Sequence, residues 1–357
     1  MTPESLAFLK SLLDTPGPSA FEAAPARVWR AEAQRFASNV RADVAGNSFA
    51  TLEGGRPSVM LAGHIDEIGV MVSHIDDDGF LSFDTIGGWD PQVFVGQRVR
   101  LLGRHGAVLG VVGKKAIHIM DKDDREKVSK VEDLWIDVGA TSRAEAERQL
   151  RIGDPGVLAA GVLEFPNGRL VSRCIDNRIG AFVVLEALRL LATSGGPRDG
   201  ASVTAVATTR EEIAATGGGA RSSAAMLEPD VAIVIDVTHA TDYPGIDKRR
   251  HGDYRLGGGP VLSRGASVSE IVFERLAEAA EAEQIPYTIE AASRDTHTDA
   301  EAIFNAHRGV ATALVSVPNR YMHSPNEMIA LEDLDRTARL LAAFVRRLTH
   351  DTDFVPR

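Results

Sequence analysis

Imidazoles and carboxylates recur at the downstream ends of apolar, strand-like runs in five separate parts of this chain. His64 and Asp66 follow SVMLAG, Asp176 ends GRLVSRCID, Glu211 and Glu212 close SVTAVATTREE, Asp236 ends VAIVID, and His323 follows TALVSVPNRYM. Ligands of open α/β sheets bind outside the carboxyl ends of the strands, so residues delivered there meet in one crevice. Histidine and carboxylate together suit hydrolysis by two divalent cations sharing a water.

Each residue also has a simpler reading. His64 and Asp66 share one face of an extended strand, where a carboxylate can orient a metal-bound imidazole; H-x-D alone fits a solvated or hydrogen-bonded histidine equally well. Asp176 opens a helix, so it either caps that helix or bridges two cations about 3.5 to 4 Å apart. Cys174, on the same face, reads as a small buried hydrophobe. The adjacent Glu211 and Glu212 form either a solvated acidic turn or a divided pair, one ligand and one base, pointing opposite ways along an extended chain. Asp236 ends a buried run and must be paired, hydrogen-bonded or coordinated. His323 lies in a polar turn that Ser324 and Pro325 favour, where a surface histidine is the alternative. His74, His105, His118, His239, His251, His297, His307 and His350 are assigned no metal, although His239 and His297 are placed either in solvated loops or along the pocket wall.

Strands alternating with helices must position these residues. From about residue 167 onward the pattern implies an α/β fold, a mainly parallel sheet covered by helices on both faces. NRIGAFVVLEALRLLAT leaves little polar surface and reads as a helix packed hard against the sheet. Thr2, Pro3 and Leu6, Leu9, Leu12 and Leu13 predict an amphipathic first helix, unlike a secretory leader. Residues 69–165 differ, with short β-branched runs broken by Gly and Asp turns, and read as a small β-rich domain inserted between 1–68 and 166–357.

The net charge of -11 and the lack of a basic run argue against nucleic acid. No run reaches membrane-spanning length. A single cysteine forbids an intrachain disulfide and suits a cytoplasmic location.

GHIDEIG, CIDNRIG, the Glu211–Glu212 pair, VIDVTHATD, the TDA of Thr298 to Ala300, and VPNRYMHSPNE together resemble the M42 dinuclear metalloaminopeptidases, in order and spacing, across nearly the whole chain. The resemblance implies an aminopeptidase acting on peptides with a free N-terminus, a PDZ-like insert that mediates dimers, and assembly up to dodecamers. It also implies two divalent metal ions per subunit, zinc or cobalt, with Asp176 bridging, His64 and Asp236 on one metal, and Glu212 and His323 on the other. Glu211 is then the general base and Asp66 orients His64, with a cis peptide after Asp176. One departure stands out: Ile213 is followed by Ala214, Ala215 and Thr216 where the family has glycine after its hydrophobe, which puts the substrate pocket in question. The rival readings are a metal-independent endoglucanase-type glycosidase, for which 6% aromatic content is low, and a non-catalytic peptide-binding protein with structural metals.

Overall fold

The computed structural model describes residues 1–196, 200–214 and 217–357. Three strands come first, β1 (Asn39–Ala42), β2 (Ser48–Leu52) and β3 (Gly55–His64). Six follow in the middle: β4 (Gly69–Ile75), β5 (Leu81–Ile86), β6 (Arg98–Gly103), β7 (Gly106–Lys114), β8 (Leu134–Asp137) and β9 (Pro155–Leu158). The rest are β10 (Leu163–Phe165), β11 (Arg169–Ser172), β12 (Ala201–Thr208), β13 (Val231–His239), β14 (Val261–Gly265), β15 (Thr288–Ala292), β16 (Ala311–Asn319) and β17 (Glu327–Ala330). The helices are α1 (Pro3–Asp14), α2 (Ala23–Ala33), α3 (Arg143–Glu147), α4 (Ile175–Thr193), α5 (Gly218–Leu227), α6 (Lys248–His251), α7 (Glu270–Ala282), α8 (Asp299–Phe304) and α9 (Leu331–Arg346).

Eight strands form the main sheet in the order β1-β2-β12-β3-β13-β16-β14-β15. The block β12-β3-β13-β16 is parallel, as is β14 with β15. The sheet as a whole is mixed, because β1–β2, β2–β12 and β14–β16 pair antiparallel. A short connection such as the turn from β1 to β2 allows only an antiparallel neighbour, whereas parallel neighbours need a long crossover.

Alternation along the buried strands splits the core between the two faces. Val59 and Leu61 of β3, with Val231, Ile233 and Ile235 of β13, join α1, α4, α7 and α9 on one side. Met60 and Ala62, with Ala232 and Val234, join α5 and α8 on the other. Both runs are therefore apolar on successive residues, as expected of strands covered on two faces.

Helix α4 is buried along most of its length, and it approaches β3 at a glycine pair. A Cβ on Gly63 would lie 2.4 Å from the Gly180 carbonyl carbon, so helix and strand touch backbone to backbone beside His64. Helix α1 starts as its sequence predicts, with Ser5 N–H donating to Thr2 Oγ1 at 3.2 Å, and Leu9, Leu12 and Leu13 buried.

The middle strands close into a six-stranded barrel, β4-β5-β8-β7-β6-β9, around its own core of Val72, Leu81, Phe83, Phe94, Leu101 and Ile136. Among the described residues, no helix is long and apolar enough to cross a membrane.

Candidate metal centre

Because β12, β3, β13 and β16 are parallel neighbours, their carboxyl ends open at one edge of the sheet. His64 is the last residue of β3 and lies on the face of Met60 and Ala62. Glu211 and Glu212 sit in the turn after β12, and His323 sits in the loop between β16 and β17. Asp236 lies inside β13, which continues three residues past the apolar run to His239. Asp176 stands at the start of α4, in a non-helical first turn (φ −74°, ψ 110°) followed by a cis peptide to Asn177. Its side chain caps nothing; its backbone N–H donates to Glu327 Oε2 at 2.9 Å.

The seven sequence candidates meet. Asp176 Oδ1 is 3.2 Å from His64 Nε2, while Asp176 Oδ2 is 3.3 Å from His323 Nε2. His64 Nε2 also lies 3.7 Å from Glu211 Oε2 and 4.0 Å from Asp236 Oδ1, and His323 Nε2 lies 3.5 Å from Glu212 Oε2. Two groups, His64 with Glu211 and Asp236, and His64 with Asp176 and Glu212, have donor atoms within 4.8 Å of one another. At ion-pair distance Glu211 meets His64 and Glu212 meets His323, although Glu212 also lies in the donor group of His64. A turn entered through Arg210 at φ 60° sets this division, in place of the extended-chain alternation expected.

Asp66 does more than the sequence suggests. Its Oδ1 lies 3.4 Å from His64 Nδ1, without the alignment of a hydrogen bond. The same carboxylate accepts the N–H groups of Glu211 and Glu212, each at 3.2 Å, and the Ser19 hydroxyl. Asp66 thus ties the end of β3 to the glutamate turn.

Electrostatics here are dominated by buried carboxylates. Burial pushes Glu211 up to about 9, with His64 opposing and Asp236, Asp299 and Asp176 adding to the rise. Burial likewise raises Glu212 and Asp236 well above the usual carboxylate range. Burial would raise Asp176 too, but His323 and His64 hold it well below that range. Both imidazoles are raised against their own burial, His64 by Glu211, Asp176 and Asp66, His323 by Asp176 and the Gly88 backbone of the barrel. Buried Glu212 Oε1 has no hydrogen-bond partner. A site so rich in oxygen donors, with two imidazoles and an orphaned carboxylate oxygen, fits divalent cations, whose charge would offset the mutual repulsion of the acids.

The family description "M42 glutamyl aminopeptidase" matches residues 46–340. This chain belongs to that family. It is 35% identical over 352 residues to the lysyl aminopeptidase of Pyrococcus furiosus, with 98% of each chain covered. The structure of a TET aminopeptidase from a marine sediment Thaumarchaeota archaeon superposes with a TM-score of 0.92, at 34% identity and 97% coverage of each chain. The TET1 peptidase of Pyrococcus horikoshii, described as assembling into a tetrahedron or a large octahedral shell, superposes at 0.85, with 28% identity, 96% of this chain and 100% of that one.

Two acidic residues of this M42 chain escaped the sequence reading. Asp299, at the first turn of α8, is buried, accepts the Thr208 hydroxyl at 2.6 Å, and is pushed up to about 6 by burial. It stands in the TDA segment, where a first-turn Asp after Thr298 reads simply as a helix start. Glu327, the last residue of SPNE, is buried and accepts both Asp176 N–H at 2.9 Å and His323 N–H at 2.8 Å. Nothing in its local pattern distinguishes it from a solvated turn acid. His239 and His297 both line the cavity of about 540 Å³ that opens over the centre. Ala214 lines the neighbouring cleft beside Glu211 and Glu212 and donates its N–H to the Glu211 carbonyl at 3.2 Å. Ala215 and Thr216 lie outside the described residues.

Proposed function

We propose that this chain is a metal-dependent aminopeptidase, removing N-terminal residues from peptides at a centre of two divalent cations, zinc or cobalt. Asp176 would bridge them, with His64 and Asp236 holding one and Glu212 and His323 the other. The observation that carries this reading is the Asp176 carboxylate, whose two oxygens face different imidazoles at 3.2 and 3.3 Å. When bound, such cations would lower the pKa of a water toward neutrality and polarise the scissile carbonyl.

Glu211 is the group left to move the proton. It stands at the same imidazole as Asp236, with Oε2 3.7 Å from His64 Nε2, within reach of the centre as a general base must be. It would accept the proton of the attacking water and return it to the leaving amine. Asp66, backed by Ser19, holds the Glu211 and Glu212 N–H groups and would orient His64, whose Nδ1 is 3.4 Å from its Oδ1. The carboxylates facing the cavity would also attract a free α-ammonium group, which restricts cleavage to the first residue.

The inserted domain, residues 69–165, we assign to dimer formation on the way to a larger homo-oligomer. The exposed Leu109, Val111, Ile117, Ile119 and Val128, all on the insert, support that role, as does the assembly described for the TET1 relative. The single cysteine fits a cytoplasmic setting. A glycosidase has less support, since it would use two carboxylates flanking a sugar and leave the two imidazoles without a task.

The test is hydrolysis of aminoacyl p-nitroanilides before and after EDTA, with Zn²⁺ or Co²⁺ restored. Activity should vanish with chelation, return with metal, and be absent on N-acetylated substrates. Hydrolysis that persists in EDTA, or cleavage of blocked substrates, overturns the proposal.

A further inference from the structure

The cavity over the centre runs from His64, Asp236 and His323 to a second acidic group, Glu290 of β15. Asp236 and Thr238 are two residues apart on β13, so they share a face about 7 Å apart along the strand. Thr238 donates its hydroxyl to Glu290 Oε1 at 3.3 Å. Ser263, the register partner of Glu290 across the β14–β15 pair, donates to Oε2 at 3.4 Å. Glu290 therefore lines the same cavity as the centre, beside Thr238 two residues past Asp236, with each oxygen held by a neutral hydroxyl.

Those hydroxyls orient the carboxylate without neutralising it. Among the described residues Glu290 has no cationic partner; its side-chain hydrogen bonds are these two long ones. A half-buried carboxylate attracts a cation most strongly where water is partly excluded. Arg294 lines the same cavity but is exposed in the turn after β15, where solvent screens it. Placement on a strand, with hydrogen bonds from β13 and from its neighbour β14, makes Glu290 better defined than Arg294 and Asp295 in the exposed turn.

Resting on the aminopeptidase reading, we infer that the cavity selects peptides whose first residue is lysine or arginine, its cationic head paired with Glu290. Apolar first residues would leave that carboxylate without a partner, and acidic ones would oppose it.

The experiment compares p-nitroanilides of Lys, Arg, Leu and Glu on the metal-loaded enzyme. In parallel, lysinamide and leucinamide are titrated calorimetrically, a measurement that needs no turnover. The basic anilides should exceed the others in kcat/KM by about tenfold to a hundredfold, the range of one charged hydrogen-bonded pair. Lysinamide should bind more tightly than leucinamide, and Glu290→Gln should erase both ratios. If no anilide is cleaved yet lysinamide keeps its Glu290-dependent advantage, the peptidase reading falls and the pocket for a basic side chain stands. A preference for Leu, or for Glu that Arg294→Ala removes, overturns the inference and leaves the peptidase intact. So do lysinamide and leucinamide binding equally, or a Lys preference that Glu290→Gln does not change.

Discussion

Gly63→Ala tests whether backbone contact between β3 and α4 sets the geometry of the centre. The new Cβ would lie 2.4 Å from Gly180 C, 2.7 Å from Ala181 N and 2.9 Å from Gly180 Cα, all backbone atoms of a buried helix. Non-bonded carbons rest at about 3.5 to 4.0 Å, so strand and helix must separate by about 1 Å. Such overpacking costs about 1–3 kcal/mol of stability. Its effect on the site is larger, because His64 adjoins Gly63 on the strand and Asp176 begins the helix. Ligand distances tolerate about 0.2 Å, and a 1 Å misplacement lowers turnover by about 10²-fold. Urea denaturation followed by circular dichroism, metal titration and kcat/KM measure the three consequences. Gly55→Ala on the same strand is the control, since its Cβ would meet nothing nearer than Gly200 O at 3.6 Å. A Gly63→Ala protein with the unfolding midpoint and metal affinity of the parent would refute the argument.

Glu211→Gln should retain its metal, measured by elemental analysis, while kcat falls by about 10²-fold or more; equal turnover removes Glu211 from the proton path. Glu327→Ala leaves the N–H groups of Asp176 and His323 without their buried acceptor, at about 1–3 kcal/mol each. Metal affinity should weaken and Tm fall, and parental values for both would show that Glu327 holds neither loop. Asp242→Asn concerns acid stability. Burial would raise the Asp242 carboxyl, but the Arg320 fork, with two bonds of 2.8 Å, and the Leu256 N–H hold it below its ordinary value. A lowered native pKa adds stability above the unfolded pKa of about 3.9, and that stability fades as pH falls through the native value. Wild type should therefore exceed the variant in urea midpoint at pH 6–7, with the gap closing in acid; a gap that widens in acid contradicts the pairing.

The ligand-type residues were legible because each follows an apolar run, and parallel strands place such positions together. Residues 59–62 and 231–235 also announced burial on both faces. The mixed pairing was not legible, since whether β14 runs with or against β16 depends on connections far apart in sequence. Glu327 and Asp299 were missed for a related reason. Their partners, Asp176 with His323 and Thr208, stand 151, 4 and 91 residues away, and a buried acid that accepts backbone N–H groups has the same local sequence as a solvated one. The turn that separates Glu211 from Glu212 hinges on the left-handed Arg210, a conformation that a non-glycine residue does not advertise.

The order of the central strands bears on when a newly made chain becomes competent. His64 emerges early, yet β3 is flanked in the sheet by β12 and β13, and the outer imidazole waits for β16 and the loop beyond it. A nascent polypeptide released as far as β13 has Asp176, both glutamates and Asp236, but not His323. Competence therefore waits until β16 and the loop after it have been made. A nascent chain that stops short of that loop carries no finished cutting edge with which to trim its neighbours on the ribosome.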